Sequence, residues 1–319
     1  MKVANGKASV EAVEFKRYIG VCPVTIIAVN PTKEEHEKIF NTSLEEAPIY
    51  IQDKEDRDGK VYKNVRISVV CKPCTGNQEI DKNIITIPFF ITNQYNKGAG
   101  SGKYQIVDKY GRFAWATEDE IKNKKVPMYA NNNLADIDSE YRIAFVGEEA
   151  LTNFIKTFLC IDDITVWDNV TKKRVPNTKV KPEECECCLD VEDIQAFIKG
   201  DFTSIKNILG YQPTNKVKIC LGVRVDSNTG RLYQTVYTKR FMRNSSTNYS
   251  ALDKDIKADI AYAQTNNKAL NTTYFAGPIK EFELQATSFT PTNVEMPTVE
   301  TVETEEPENT DNNPFGLPF

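Results

Sequence analysis

Segments of branched and alternating apolar residues outnumber segments of helical spacing, so the pattern predicts a chain built mainly of sheet. "YIGVCPVTIIAVNP" is rich in branched residues and stops at Asn30-Pro31, which predicts a strand and a break. In "VYKNVRISVVCKP", Val65, Ile67 and Val69 alternate with Arg66 and Ser68, the period of a half-buried strand, and "NIITIPFFITN" reads as another. The turn-rich "NKGAGSGK" leads into the β-segment "YQIVDKYGRFAWA", and "ITVWDNVTKKRV" reads as a hairpin-like β-segment.

Helices punctuate this sheet. Thr32 and Glu35 have capping-box spacing before "KEEHEKIF", and Thr117 and Glu120 repeat it ahead of a short helix. From Glu148 to Cys160, Leu151, Phe154, Ile155 and Phe158 share one side of a helix, and 190–210 predicts two short helices broken near Gly200. Neither an internal repeat nor a linker divides the body, which predicts one α+β unit, mainly β, over residues 15–289.

The clearest hairpin is "KVKICLGVRVDSNTGRLYQTVYTKRFMR", two long strands around Asn228-Thr229-Gly230. Strand parity places Val217, Ile219, Leu221, Val223 and Val225 on one face, and Lys216, Lys218, Cys220, Gly222 and Arg224 on the other. In the second strand Arg231, Tyr233, Thr235, Tyr237, Lys239, Phe241 and Arg243 share a face. Seven basic residues, Arg240 included, oppose the single Asp226, a local charge of 7 − 1 = +6. Cations that follow phosphates and rings that stack unpaired bases, at roughly 1–3 kcal/mol per base, are what a single strand of nucleic acid requires. The competing reading makes the rings core and the cations a solvated edge. A second interleaved set, from which Lys103, Tyr104 and Arg112 are the candidate contacts, flanks the glycine loop 98–102 and suits a clamp over a strand.

Charge divides the chain. The total is −5, whereas residues 290–319 hold seven acidic residues and no Lys or Arg, so the rest carries −5 + 7 = +2. That segment also holds five of the fifteen prolines, a composition that cannot build a core and predicts a disordered acidic tail. Residues 1–14 read as a loosely ordered arm. No apolar run is long enough for a membrane span or a signal peptide, so no membrane partner is expected and the compartment of synthesis is the expected location. Eight cysteines in a chain of this size predict free thiols in a reducing compartment. Cys71, Cys74, Cys185, Cys187 and Cys188 offer thiolates for zinc, but the two groups lie more than a hundred residues apart without a ribbon motif, and no metal or other cofactor is expected.

Catalysis finds little material. "KGAGSGKY" lacks the first glycine and the Ser or Thr of a phosphate-binding loop, with Lys97 and Tyr104 in their places. The sole histidine, His36, lies between Glu35 and Glu37, which disfavours every His-dependent triad. A nonenzymatic binding protein is the expectation.

The ending "ETEEPENTDNNPFGLPF" resembles the acidic C-terminus, closing on Pro-Phe, of bacterial and bacteriophage single-stranded DNA-binding proteins. The opening "FKRYIGVCPVTIIAVNPTKEE" is similar to the N-terminal part of large phage proteins of that kind, including those of crAss-like phages. The resemblance implies an OB-fold-like barrel core with helical insertions, coating of single-stranded DNA in phage replication, recombination and repair, self-association on DNA, and a place in the host cytoplasm. It also implies that Asp311, Pro314, Phe315, Pro318 and Phe319 dock replication or repair proteins. The charge pattern adds that the −7 tail can rest on the +6 hairpin until DNA displaces it. The reading from another class is a virion or assembly protein whose basic hairpin meets another protein.

Overall fold

A computed structural model of the chain describes residues 15–123, 140–210, 214–225, 232–266, 272–273 and 285–289. Phe15–Phe289 forms one compact unit. The predicted arm, the acidic tail and its Pro-Phe residues lie outside the described residues.

The strands are β1 (Phe15–Val29), β2 (Ile51–Glu55), β3 (Val61–Pro73), β4 (Ile85–Thr92), β5 (Lys103–Asp108), β6 (Phe113–Thr117), β7 (Tyr141–Ile143), β8 (Thr165–Asp168) and β9 (Lys173–Pro176). They continue with β10 (Val217–Val225), β11 (Leu232–Val236), β12 (Met242–Arg243), β13 (Thr272–Thr273) and β14 (Gln285–Phe289). The helices are α1 (Lys33–Phe40), α2 (Gln78–Asp81), α3 (Glu118–Lys122), α4 (Glu148–Phe158), α5 (Val191–Lys199), α6 (Thr203–Gly210) and α7 (Ser250–Thr265). Both predicted capping boxes form: Glu35 N–H donates to Thr32 Oγ1 at 3.3 Å and Thr32 N–H to Glu35 Oε2 at 2.8 Å, and Thr117 and Glu120 repeat the exchange. Gly200, at φ +95°, ends α5 in the left-handed region that favours glycine.

The main sheet is antiparallel. Val69 of β3 faces Val29 on one edge and Ile87 on the other, and Leu221 of β10 faces Gly20 and Val236, which gives the run β4-β3-β1-β10-β11. β2 continues the β1 side of β3, while β12 and β13 add to β10. β1 is long because it serves both halves. Near Gly20 it leaves β10 and takes β14 as a partner, and Gln234 bridges the parting: its amide accepts from Tyr18 N–H at 2.9 Å and donates to the carbonyls of Tyr18 and Gly222 at 2.7 and 2.8 Å. Among the described residues no hydrogen bond joins β4 to β11, so the sheet is not a closed barrel.

One face of this sheet holds the core. Leu151, Phe154, Ile155 and Phe158, the predicted face of α4, are all fully buried against Ile67, Ile87, Phe89, Val217 and Ile219. Complete removal of such side chains from water stabilises the fold by about 1.5–3 kcal/mol each. Gly147 sets α4 against β4: at φ +86° a Cβ there would lie 1.7 Å from the carbonyl oxygen of Phe90. α7 covers part of the opposite face, where Leu252 and Ile256 bury Val21, Cys220, Tyr237 and Met242. The sheet β6-β5-β7 and the hairpin β8-β9 complete the fold. No helix among the described residues is long and apolar enough to cross a membrane.

Candidate nucleic-acid interface

The register of the predicted basic hairpin decides what its side chains can reach. Leu221 faces Val236 and Lys218 faces Met242, so three steps along β10 match six along its partner. The excess of three is odd and inverts the alternation beyond Tyr237. Phe241, expected beside Tyr233 as a base platform, instead enters the core, with its ring centroid 4.9 Å from that of Phe154. Tyr237 keeps its expected side but lies under α7, 4% exposed, and donates its hydroxyl to Asp259 at 2.8 Å. Neither ring is open to a base.

The cations change role as well. Lys218 is 2% exposed, and its ammonium donates to the Ser246 carbonyl at 2.7 Å and the Tyr249 hydroxyl at 3.1 Å. It is a buried tie, not a phosphate contact. Lys239 pairs with Asp259 at 2.7 Å, Arg240 with Asp255, and Arg243 with Asp162 at 2.8 Å. Lys239, Arg240 and Arg243 line a cleft of about 540 Å³ beside α4. Its remaining cation, Lys156, is held by the Tyr110 carbonyl and Asp163. Three of the hairpin's seven cations are thus paired with acids and a fourth, Lys218, is buried, which reduces the +6 field on which a resting tail would depend. Lys216 is exposed just before β10. Arg224 lies 5.7 Å from the Tyr233 ring centroid, directly across the strands, and Arg231 falls outside the described residues.

In the second predicted set, Arg112 is structural: it pairs with the buried Asp108, its Nε donating at 2.6 Å. Lys103 is partly exposed on β5, and Tyr104 lies on the other face of that strand with the Lys97 ammonium 5.3 Å from its ring centroid. Tyr95, 56% exposed, stacks on Phe145 at 5.2 Å. Rings and cations therefore do meet here, although the ring beside Arg112, that of Tyr110 at 5.6 Å, is buried.

A further half-exposed surface is the outer face of β3 and β4, which the α7 cluster does not cover. Tyr62, Asn64 and Arg66 of β3 and Thr86, Pro88 and Phe90 of β4 alternate away from the core and keep partial exposure. Arg66 stands directly opposite Phe90, donates to Ser68 Oγ at 2.7 Å and lies 6.0 Å from the Tyr50 ring centroid. Burial pushes the Tyr50 hydroxyl up to about 12, so it remains a neutral ring whose hydroxyl donates to the Pro31 carbonyl. The sequence contains this face as the polar half of the β3 alternation, but its charge is sparse beside that of the hairpin.

Sequence reasoning also passed over Trp167 on the β8-β9 hairpin, although "VWDNVTKKR" sets an indole beside three cations. All eight cysteines are free, and among the described residues no group of three or more metal-ligating side chains gathers at one place. Comparison with known proteins returns no matching family model, no matching curated protein and no matching solved structure.

Proposed function

We propose that this protein binds single-stranded DNA without sequence preference and without chemistry of its own, coating it in the host cytoplasm during phage replication, recombination and repair. The observation that carries the reading is the sheet. With β2, β5–β9, α5 and α6 set aside as insertions, strands β1, β3 and β4, then α4, then β10 paired onto β1 and β11 onto β10, are similar in order to an OB-fold, a partly open five-stranded barrel, and this likeness supports the reading. An OB-fold binds oligonucleotides across its second and third strands, which on this reading would be β3 and β4, whose outer face carries Arg66, Phe90 and Tyr62. Arg224 and Tyr233 would extend that contact beside the loop that joins the last two strands. The tail residues Asp311, Pro314, Phe315, Pro318 and Phe319 would recruit replication or repair proteins, and neighbouring copies would associate along the DNA.

Titration of a labelled oligothymidylate against a duplex of equal length, between 50 and 200 mM salt, tests the reading. It expects a strong preference for the single strand and a steep loss of affinity with salt. Equal binding to the duplex, or affinity independent of salt, would overturn it.

A further inference from the structure

The β8-β9 hairpin presents its apolar side chains to water. Its base is fixed: Asn177 N–H donates to the Ile164 carbonyl at 2.8 Å and its side chain to the Asp163 carbonyl at 2.9 Å, while Ile164 is buried with Tyr110 and Cys185. Beyond that base Val166 is 41% exposed, Trp167 56% and Val170 89%. An indole left this open is unfavourable without a partner.

The turn is built to hold its shape. The Asp168 carboxylate accepts from the amides of Val170 and Thr171 at 2.9 and 3.2 Å and from the Thr171 hydroxyl at 2.5 Å. The Thr171 hydroxyl foremost, then the Val170 amide, hold its carboxyl below the usual aspartate range. Trp167 and Arg174 stand directly opposite each other in the register, so their Cβ atoms share one side of the ribbon. Arg174 is oriented along its strand by a 3.1 Å bond from Nη1 to Thr165 Oγ1. Over residues 165–181, Lys172, Lys173, Arg174, Lys179 and Lys181 oppose Asp168 alone, a local charge of 5 − 1 = +4. That acid is already engaged within the turn.

We infer that this hairpin is a second contact for single-stranded DNA, with the Trp167 indole as the platform for a base and Lys172, Lys173 and Arg174 as phosphate contacts. The inference rests on the proposed function and names a site on an element outside the main sheet. Charge selects a polyanion. Shape selects a nucleic acid over an acidic peptide, because the two-stranded ribbon offers an open ring with Arg174 beside it and Lys172 and Lys173 at its tip, whereas a Phe-tipped peptide gains its affinity from a pocket.

The chain has two tryptophans, so Trp115→Phe leaves Trp167 as the sole indole emitter. In that full-length variant, oligothymidylate should quench the emission with the same midpoint as the anisotropy of the labelled strand. Trp167→Ala should weaken binding about 5- to 150-fold, the equivalent of one lost stack. Lys172→Ala with Lys173→Ala should reduce the slope of log affinity against log salt by about 1.4. Strong binding by anisotropy with unchanged Trp167 emission, and both hairpin variants within twofold of the parent, would overturn the hairpin site and leave the proposed function standing. Emission altered by a peptide of residues 305–319 but not by oligothymidylate would reassign the hairpin to the tail. Absence of any single-strand binding by the parent protein would remove both readings.

Discussion

Phe89 of β4 and Phe241, just before β12, hold their ring centroids 5.8 Å apart across strands that share no ladder. Phe154 of α4 completes the group, 5.2 Å from the first and 4.9 Å from the second. The two margins of the sheet are thus joined by side chains where backbone bonds are missing. Phe241→Ala is expected to cost about 3–5 kcal/mol, read in a urea melt. A base-stacking role would instead leave the melt unchanged.

Lys216 and Lys218 are two residues apart and should behave oppositely. Lys218→Ala removes a buried ammonium and its bonds to the Ser246 carbonyl and the Tyr249 hydroxyl, and is expected to destabilise by about 2–3 kcal/mol. Lys216→Ala should leave the melting temperature unchanged and, on the proposed function, lower the salt slope of DNA binding by about 0.7.

On the open face, Arg66→Glu and Phe90→Ala test the proposed path of the strand. Each is expected to weaken oligothymidylate binding at least fivefold in anisotropy titrations while the far-ultraviolet circular dichroism stays that of the parent. Parental affinity in both variants would remove β3 and β4 from the path.

Gly147→Ala combines a strained φ with a Cβ that has no room against Phe90. A loss of at least about 3 kcal/mol is expected in the same melt, because either α4 or β4 must shift. A neutral result would show that α4 does not sit hard against the strand.

The thiols should sort by burial. Cys160 and Cys188 are exposed, and Cys188 should react more slowly with an aromatic disulfide because desolvation raises its thiol. Cys22, Cys71 and Cys220 should stay silent up to pH 8.5 until the protein is denatured. Burial pushes Cys22 up to about 12 and the other two in the same direction.

Local signals in the sequence translated well. Two capping boxes, the apolar side of α4 and the break at Gly200 each depend on neighbours within a turn or two of chain, so their residues state them directly. The hairpin face did not translate, for two reasons that alternation cannot express. An odd excess of residues turned Phe241 inward, and α7 arrived to cover Lys218 and Tyr237. The helix is hard to read because its buried residues, Leu252, Ile256 and Ala263, are few among charged ones. Its Asp255 and Asp259 match Arg240 and Lys239 only after folding brings them together. The open face of β3 and β4 was legible as a strand but not as a surface, since nothing local states which neighbours will cover it.

The three surplus residues between β11 and β12 work like a reading frame. Any substitution there can change a side chain, but only a change in number can exchange the two sides. Removing or adding one residue within 237–240 would make the surplus even, turning Phe241 and Arg243 together from the core side toward the α7 side. A change of two would restore the arrangement. What this segment has to keep is therefore a count, and insertions and deletions probe it where substitutions cannot.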